Sequence, residues 1–329
     1  MSNAKVKTGI IGGAGYTGGE LLRLLVHHPD VEITFVHSCS NAGKAVSDIH
    51  SDLIGDIDLI FTDRIKQDID VLFLCVGHGE AKKFIAENGI AHTTRIIDLS
   101  QDFRIVSITD ADNREFIYGL SELNSDKIRS AKNIANPGCF ATAIQLALLP
   151  LAANSLLTKP VHVTATTGST GAGQSFSNTS HFSWRQNNLS AYKAFTHQHL
   201  AEIYQSLHSV NGKSHAEIFM IPLRGSFTRG ILATLYTECS LNETEVQDLF
   251  SRYYKGQPFV FLSKHNPDLK QVVNTNKCIL YIEKHKNQLM ITSLIDNLLK
   301  GASGQAVQNM NLMFGLEETA GLRLKASAF

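Results

Sequence analysis

The stretch Gly12-Gly13-Ala14-Gly15-Tyr16-Thr17-Gly18-Gly19 lies between a short apolar run, Lys7 to Ile11, and leucines at helical spacing, Leu21, Leu22, Leu24 and Leu25. His28-Pro29 stops that helix, because proline has no N–H to donate and crowds the preceding turn. A turn this rich in glycine lets the backbone pass close to itself and to a bound group. Strand, glycine turn and helix in this order commit the amino-terminal part to a parallel α/β unit that holds a dinucleotide, its pyrophosphate at the helix N-terminus. The glycines read as GxGxxG from Gly13 or as GxxGxxG from Gly12, and Gly12, Gly15, Tyr16, Thr17 and Gly18 are the candidate contacts.

The next strand, Val31 to Val36, ends where the ribose contact belongs, and no acid stands there. The chain reads His37-Ser38-Cys39-Ser40-Asn41-Ala42-Gly43-Lys44 instead. A carboxylate would favour NAD and repel a 2′-phosphate, so its absence points to NADP, with Ser38, Ser40 and Lys44 around the extra phosphate. Asp70 to Val76, Arg95 to Leu99 and Asn133 to Asn136 are further buried strands. In a parallel sheet their carboxyl ends share one rim. Gly77 opens a loop on that rim and is a further cofactor contact. Asp102 and Arg104, also on the rim, either pair with each other or reach the substrate.

Asn136-Pro137-Gly138-Cys139 precedes an apolar, Ala-rich helical run, Phe140 to Ala153. A cysteine opening a helix sits at unpaired N–H groups and the positive end of the dipole, which favour its thiolate. A free thiol, with a pKa of about 8.5, is mostly protonated at neutral pH, and each unit of lowering is worth about 1.4 kcal/mol. Cys139 is therefore the candidate nucleophile, expected to share a crevice with the glycine turn. Beyond Pro150 comes a strand, Val161 to Thr167, then Gly168 to Gln174, small residues whose backbone and hydroxyls can hold an oxyanion or carboxylate. His215 to Leu223, Arg229 to Cys239, Cys278 to Glu283 and Gln288 to Ile295 read as strands, with a helix at Glu243 to Tyr254. Ala306, Met310, Met313 and Phe314 place a last helix over Ala302 to Phe314, expected to return to the first domain. The fold class is α/β: a Rossmann-type parallel sheet domain, residues 1–138 with 301–329, and an α+β catalytic and oligomerisation domain with a mixed or antiparallel sheet, residues 139–300.

Thirty Lys and Arg balance thirty Asp and Glu without long runs of either sign, which excludes nucleic acid and anionic membrane surfaces as partners. No apolar run approaches the roughly 18 residues of a membrane span. Met1 to Ala4 lacks the hydrophobic region of a signal peptide, so a cytoplasmic location is expected. Five cysteines without a CxxC pair argue for reduced thiols and against a structural zinc. His197 and His199 stand two apart, which does not put them on one helical face as metal ligands would need, and no metal is expected.

Several motifs in fixed order resemble N-acetyl-gamma-glutamyl-phosphate reductases. They are Gly-Ala-Gly-Tyr-Thr-Gly from Gly13, Asp98-Leu99-Ser100-Gln101-Asp102-Phe103-Arg104, Tyr118-Gly119-Leu120-Ser121-Glu122, Ala135-Asn136-Pro137-Gly138-Cys139, Gly171-Ala172-Gly173, Arg229-Gly230-Ile231-Leu232-Ala233-Thr234 and Asp296-Asn297-Leu298-Leu299-Lys300-Gly301. The family is similar to aspartate-semialdehyde dehydrogenase in fold and mechanism. The resemblance implies Cys139 as nucleophile and His197 as acid/base, its pKa near neutrality. Arg104, Asn136, Ser169, Gly173, His199 and Glu202 are implied on an acyl phosphate substrate that yields inorganic phosphate. Asn297 is implied on NADP, and a homodimer or homotetramer as the assembly. The chain departs from the family pattern at Gln198 and Ala201, where Arg and Pro are usual, at Gln174 and at Cys39. The acyl group on the substrate nitrogen, acetyl or succinyl, stays open. An amino-adipate phosphate, aspartate semialdehyde or a non-catalytic redox sensor are the other readings.

Overall fold

A computed structural model describes residues 4–105, 114–212 and 216–327. Met1 to Asn3 and His215, both used above, lie outside them. The chain forms two compact units, one running up to Pro137 and including Ala302–Arg323, the other Gly138–Gly301 with the segment from Leu324.

The first unit runs β1 (Val6–Ile11), α1 (Tyr16–Leu25), β2 (Val31–His37), α2 (Val46–Ile49), β3 (Phe61–Thr62), β4 (Val71–Leu74), α3 (Glu80–Asn88), β5 (Arg95–Asp98), β6 (Ile117–Tyr118), α4 (Ser121–Ser130) and β7 (Asn133–Ala135). Its seven strands lie in the order β3-β2-β1-β4-β5-β7-β6, all parallel. Every side chain of β4 is fully buried, which is why that segment is apolar without alternation.

The second unit holds α5 (Cys139–Ala153), β8 (Val161–Thr167), α6 (Phe182–Arg185), β9 (Ser190–Ala191), α7 (His199–Asn211), β10 (Ile218–Arg224), β11 (Ile231–Glu238), α8 (Glu243–Tyr253), β12 (Val260–Leu262), β13 (Cys278–His285) and β14 (Gln288–Ile295). Its mixed sheet is ordered β12-β13-β14-β11-β8-β10-β9, parallel at β12/β13 and β8/β10 and antiparallel elsewhere. Helix α5 is buried nearly all round, as its lack of a polar face requires. It also contains Pro150, which cannot donate to the carbonyl of Leu146. The hydroxyl of Tyr254 donates to that carbonyl instead, at 2.5 Å. One face of the sheet alternates outward and carries His162 stacked between Tyr236 and Phe219, with ring centroids 4.9 and 5.4 Å away.

The last helix, α9 (Gly304–Met313), belongs to the first unit and is buried along its whole length. Apolar spacing reveals the helix, but buried amides fix where it docks. Gln305 Nε2 and Asn309 Nδ2 both donate to the carbonyl of Gly119, at 2.7 and 2.9 Å. Among the described residues no helix is long and apolar enough to cross a membrane.

Candidate active site

In the first unit the glycine turn resolves into separate tasks. Gly12 has φ +74°, and a Cβ there would lie 2.3 Å from the carbonyl oxygen of Cys75, so only glycine fits. A Cβ on Gly18 would lie within 2.7 Å of the backbone of Gly12 and Gly13, so this glycine lets α1 pack against the turn. Gly15, the N-cap of α1, would meet only one atom, at an ordinary 3.6 Å. A Cβ on Gly13 would lie 2.2 Å from Val36 Cγ1, so GxGxxG from Gly13 and GxxGxxG from Gly12 both begin on a glycine that excludes a side chain, and of these four glycines Gly15 alone is open. Tyr16 and Thr17 begin α1, and Ser303 Oγ donates to the Thr17 carbonyl at 2.8 Å. After β2, Asn41 Nδ2 donates to Ser38 Oγ and Ser40 Oγ, each at 3.3 Å, while Lys44 Nζ donates to Asn41 Oδ1 at 3.2 Å. The segment His37 to Lys44 thus carries hydroxyls, an amide and an ammonium, and no carboxylate.

Gly77 opens the loop before α3, and Asp102 organises that helix. Its carboxylate accepts from the N–H groups of Gly79, Ala81 and Lys82, at 2.6, 3.0 and 3.3 Å. Arg104 is buried and donates to the carbonyls of Asn136 and Leu99, at 2.8 and 2.9 Å, which clamps the exits of β5 and β7. Asn136 is equally committed: its Nδ2 donates to the Ala302 carbonyl at 3.0 Å and its Oδ1 accepts from Asn309 at 3.1 Å. Arg104 and Asn136, the expected substrate contacts, thus also make hydrogen bonds at the segment that precedes the cysteine.

In the second unit Cys139 is the first residue of α5. The preceding N–H, that of Gly138, donates to Glu202 Oε2 at 2.9 Å, and Glu202 lies in the first turn of α7. Two helix N-termini are thereby tied together. His199 Nε2 stands 3.9 Å from the other oxygen of Glu202. The ring of Phe140 packs edge-on to His197 at 5.4 Å, and His197 meets His199 at 4.5 Å. The family pattern thus converges on the start of α5.

His197 is buried, and its pKa falls to about 4, chiefly by desolvation and also by Lys193, against an opposing pull from Glu202. This corrects the expected value near neutrality: the imidazole is neutral at pH 7. The backbone N–H of His199 donates to its Nδ1 at 3.2 Å. An acceptor Nδ1 puts the proton of the neutral ring on Nε2, which leaves Nε2–H as a hydrogen-bond donor.

The Asp296–Gly301 segment supports the nucleophile from another side. Asp296 is fully buried and takes Arg229 in a two-pronged pair at 3.1 and 3.2 Å. It also accepts from the N–H groups of Asn274, Leu298 and Leu299, at 2.8, 2.8 and 3.1 Å. Gly301 donates to the Asp296 carbonyl at 2.9 Å and lies so close to Cys139 that a Cβ on it would be 2.7 Å from that of the cysteine. Asn297, expected on the cofactor, accepts from the Gly230 N–H at 2.7 Å and donates to Thr170 Oγ1 at 3.0 Å. It thereby holds the 168–173 loop, where Ser169 donates its N–H to the Phe227 carbonyl at 2.8 Å and Gly173 donates to that of Thr170 at 3.1 Å.

Two family models divide the chain. The semialdehyde dehydrogenase NAD binding domain matches residues 7–131, and the semialdehyde dehydrogenase dimerisation domain matches residues 139–297. N-acetyl-gamma-glutamyl-phosphate reductases of Phocaeicola vulgatus and Flavobacterium johnsoniae are 57% and 56% identical to it over 325 and 324 residues, covering 98% of this chain and 100% of each relative. The chain belongs to the N-acetyl-gamma-glutamyl-phosphate reductase family. In fold it is similar to aspartate semialdehyde dehydrogenase II of Vibrio cholerae complexed with ASA, with a TM-score of 0.73 at 15% identity over 95% of this chain and 99% of that one. The enzyme of Candida albicans with NADP gives 0.67 at 12% identity, over 94% and 99%.

Sequence reasoning missed three residues beside this reductase site. The ring of Tyr192 lies 5.9 Å from that of His197, and burial together with the nearby Cys139 pushes its phenol up to about 12. Arg224, at the end of β10, stacks on Tyr192 with Cζ 4.7 Å from the ring centroid. Arg185 donates from Nη1 to the Arg224 carbonyl at 2.6 Å. Arg224 is a charge ending an otherwise apolar strand, which was the one signal available in the sequence.

Proposed function

We propose that the chain reduces N-acetyl-gamma-glutamyl phosphate with NADPH to N-acetylglutamate 5-semialdehyde and inorganic phosphate, through a thioester on Cys139. The observation that carries this is the start of α5, where Cys139 follows the Gly138 N–H held by Glu202 and precedes Phe140, whose ring packs edge-on to the neutral His197. The Cys139 thiolate attacks the gamma-acyl carbon; a C–S bond forms, the carbon–oxygen bond to phosphorus breaks, and phosphate leaves with the electron pair. A dinucleotide held at the glycine turn would supply the hydride that reduces the thioester carbon. As negative charge grows on the former carbonyl oxygen, His197 donates to it from Nε2, and N–H groups at the start of α5 add to that stabilisation. The C–S bond then breaks, releasing the aldehyde and restoring the thiolate. Ser38, Ser40, Asn41 and Lys44 support NADP over NAD. The outward, partly aromatic face of the mixed sheet is the surface on which two copies would pair.

Three of the other thiols are poor competitors: Cys239 and Cys278 are buried, and burial pushes the Cys75 thiol up to about 12. The test is NADP reduction in the presence of phosphate with N-acetylglutamate semialdehyde, beside the N-succinyl compound and aspartate semialdehyde. Cys139→Ala removes the nucleophile and is expected to abolish turnover. Activity confined to aspartate semialdehyde, or an active Cys139→Ala protein, refutes the assignment.

A further inference from the structure

Between Gly168 and Gly230 the sequence contains two acids, Glu202 and Glu217, and a larger number of cations. Glu202 is taken by Gly138, and Arg229 by Asp296. Arg185 and Arg224 are left without a carboxylate. Arg185 is buried, and its guanidinium donates only to neutral acceptors. These are the Thr179 carbonyl at 3.2 and 3.1 Å, the Arg224 carbonyl at 2.6 Å and Ser190 Oγ at 3.3 Å. Arg224 is half-buried; its guanidinium lies over Tyr192, and its Nε is buried without a hydrogen-bond partner. Neither forms an ion pair among the described residues. Two guanidinium groups this close repel each other, and an unpaired donor at reduced solvent contact is costly. The arrangement persists at such a place when an anion completes it.

Strand pairing shows which part of the site they face. Arg224 pairs with Thr167 of β8 on one side and with Ser190 of β9 on the other. The loop Gly168–Gly173 leaves the first of these, and the chain from the second leads through Tyr192 to His197. Arg224 therefore stands where both walls of the substrate site begin. The Tyr192 ring adjoins both Arg224 and His197, 4.7 Å from the Arg224 guanidinium and 5.9 Å from the His197 ring. A phosphate bonded to the carbon that Cys139 attacks belongs beside the imidazole, and the group reaching Arg224 belongs to the opposite end of the substrate.

We infer that Arg224, braced by Arg185 and Tyr192, is a specificity-determining residue that binds a carboxylate at the substrate end remote from the acyl phosphate. This rests on the reading of the substrate as an N-acylglutamyl phosphate. Such a molecule offers its α-carboxylate and, when the acyl group is a dicarboxylic acid, a second carboxylate. A planar guanidinium matches either in a two-pronged bond.

The test compares the wild-type enzyme with Arg224→Leu and Arg224→Lys in phosphate-dependent NADP reduction, with N-acetylglutamate and N-succinylglutamate semialdehydes. Loss of a charged hydrogen bond of this kind is expected to raise KM for the semialdehyde roughly 10- to 100-fold, with KM for phosphate and for NADP unchanged. Arg224→Lys keeps the charge but not the fork and is expected to recover part of the loss. Equal loss with both semialdehydes identifies the α-carboxylate; loss confined to the succinyl compound identifies the acyl carboxylate. Should Arg224→Leu fail to fold, the α-amide of N-acetylglutamate semialdehyde and a monoamide of the succinyl group replace it on the wild-type enzyme, and one of them must show the same rise. Unchanged KM for every one of these, or a rise for phosphate instead, overturns the inference while the reaction stands. A wild-type enzyme inactive on both N-acyl compounds removes the substrate reading itself, and the inference with it.

Discussion

Replacing Gly301 by alanine tests how tightly the nucleophile is held. Gly301 has φ outside the left-handed region, so the substitution adds a methyl group without backbone strain. That methyl would lie 2.7 Å from Cys139 Cβ and 3.2 Å from its Cα. Carbon atoms in contact normally sit about 3.5–4.0 Å apart, so one side must retreat by about 1 Å. The Gly301 side is the stiffer, because its N–H is bonded to the Asp296 carbonyl at 2.9 Å and Asp296 is itself held by Arg229 and three N–H groups. The displacement therefore falls on Cys139. Overpacking of this kind costs about 1–3 kcal/mol of stability, and the melting temperature drops by about 2–4 °C for each. A misplacement of 1 Å at a reacting atom costs up to about 10²-fold in rate, close to 3 kcal/mol of barrier. The assay is steady-state NADP reduction with phosphate and N-acetylglutamate semialdehyde, run beside a thermal melt. The reasoning predicts a kcat loss of about 10- to 100-fold with KM for NADP unchanged. A Gly301→Ala enzyme with full kcat would show that the Asp296–Gly301 segment does not position the cysteine.

In the glycine turn, Gly15→Ala meets only an ordinary contact and is expected to melt like the wild type, while KM for NADP rises about tenfold or more, the equivalent of 1.4 kcal/mol; an unchanged KM would remove Gly15 from the cofactor site. Tyr254→Phe leaves the Leu146 carbonyl without the hydroxyl that replaces the Pro150 N–H. It is expected to cost about 1–3 kcal/mol in denaturant unfolding with kcat and KM unchanged, and a neutral result would mean that carbonyl needs no partner. His197 has a folded pKa of about 4 against 6.5 for a free histidine. The unfolded chain thus binds more protons between those values, and stability from this group rises with pH across that window and is lost as pH falls through it. Buried Asp98, pushed up to about 7, acts in the opposite sense, so the measurement is the difference between wild type and His197→Gln. That difference should grow from pH 4 to 6.5 and then level; a flat difference would mean the imidazole is not desolvated.

Legibility in the sequence followed period and chemistry. Val161–Thr167 and Gln288–Ile295 matched to the residue because runs of that length, bounded by turn residues, have one interpretation. The two-residue strands β3, β6 and β9 carry too few side chains for any period to show. Cys139, His197 and Glu202 stood out in the sequence by residue type, and the structure brings Glu202 to the Gly138 N–H and His197 to the ring of Phe140. Arg104, Asn136 and Asn297 were marked for ligands by the same reasoning, and each also makes hydrogen bonds to backbone or side-chain groups of neighbouring loops. A polar residue in a motif can serve the site by shaping the loop, and only its partners distinguish the two uses. Arg224 went unnoticed for the converse reason: nothing in a single sequence tells which charge lacks a counter-ion.

The distribution of constraints says something about how the nucleophile is made ready. Gly138, Cys139, His197, Glu202, Asp296 and Gly301 all lie within the second unit, and the Gly138–Glu202 and Asn274–Asp296 hydrogen bonds are internal to it. The Glu202 carboxylate, the bound N–H of Gly138 and the close packing at Gly301 all bear on the first turn of α5. In the proposed reaction that turn serves acyl transfer to the thiol, and the glycine turn of the first unit serves the hydride step. The two halves of the reaction can therefore respond to different substitutions: Gly301→Ala slows both directions through the thiol, whereas Gly15→Ala weakens only the step that uses the dinucleotide.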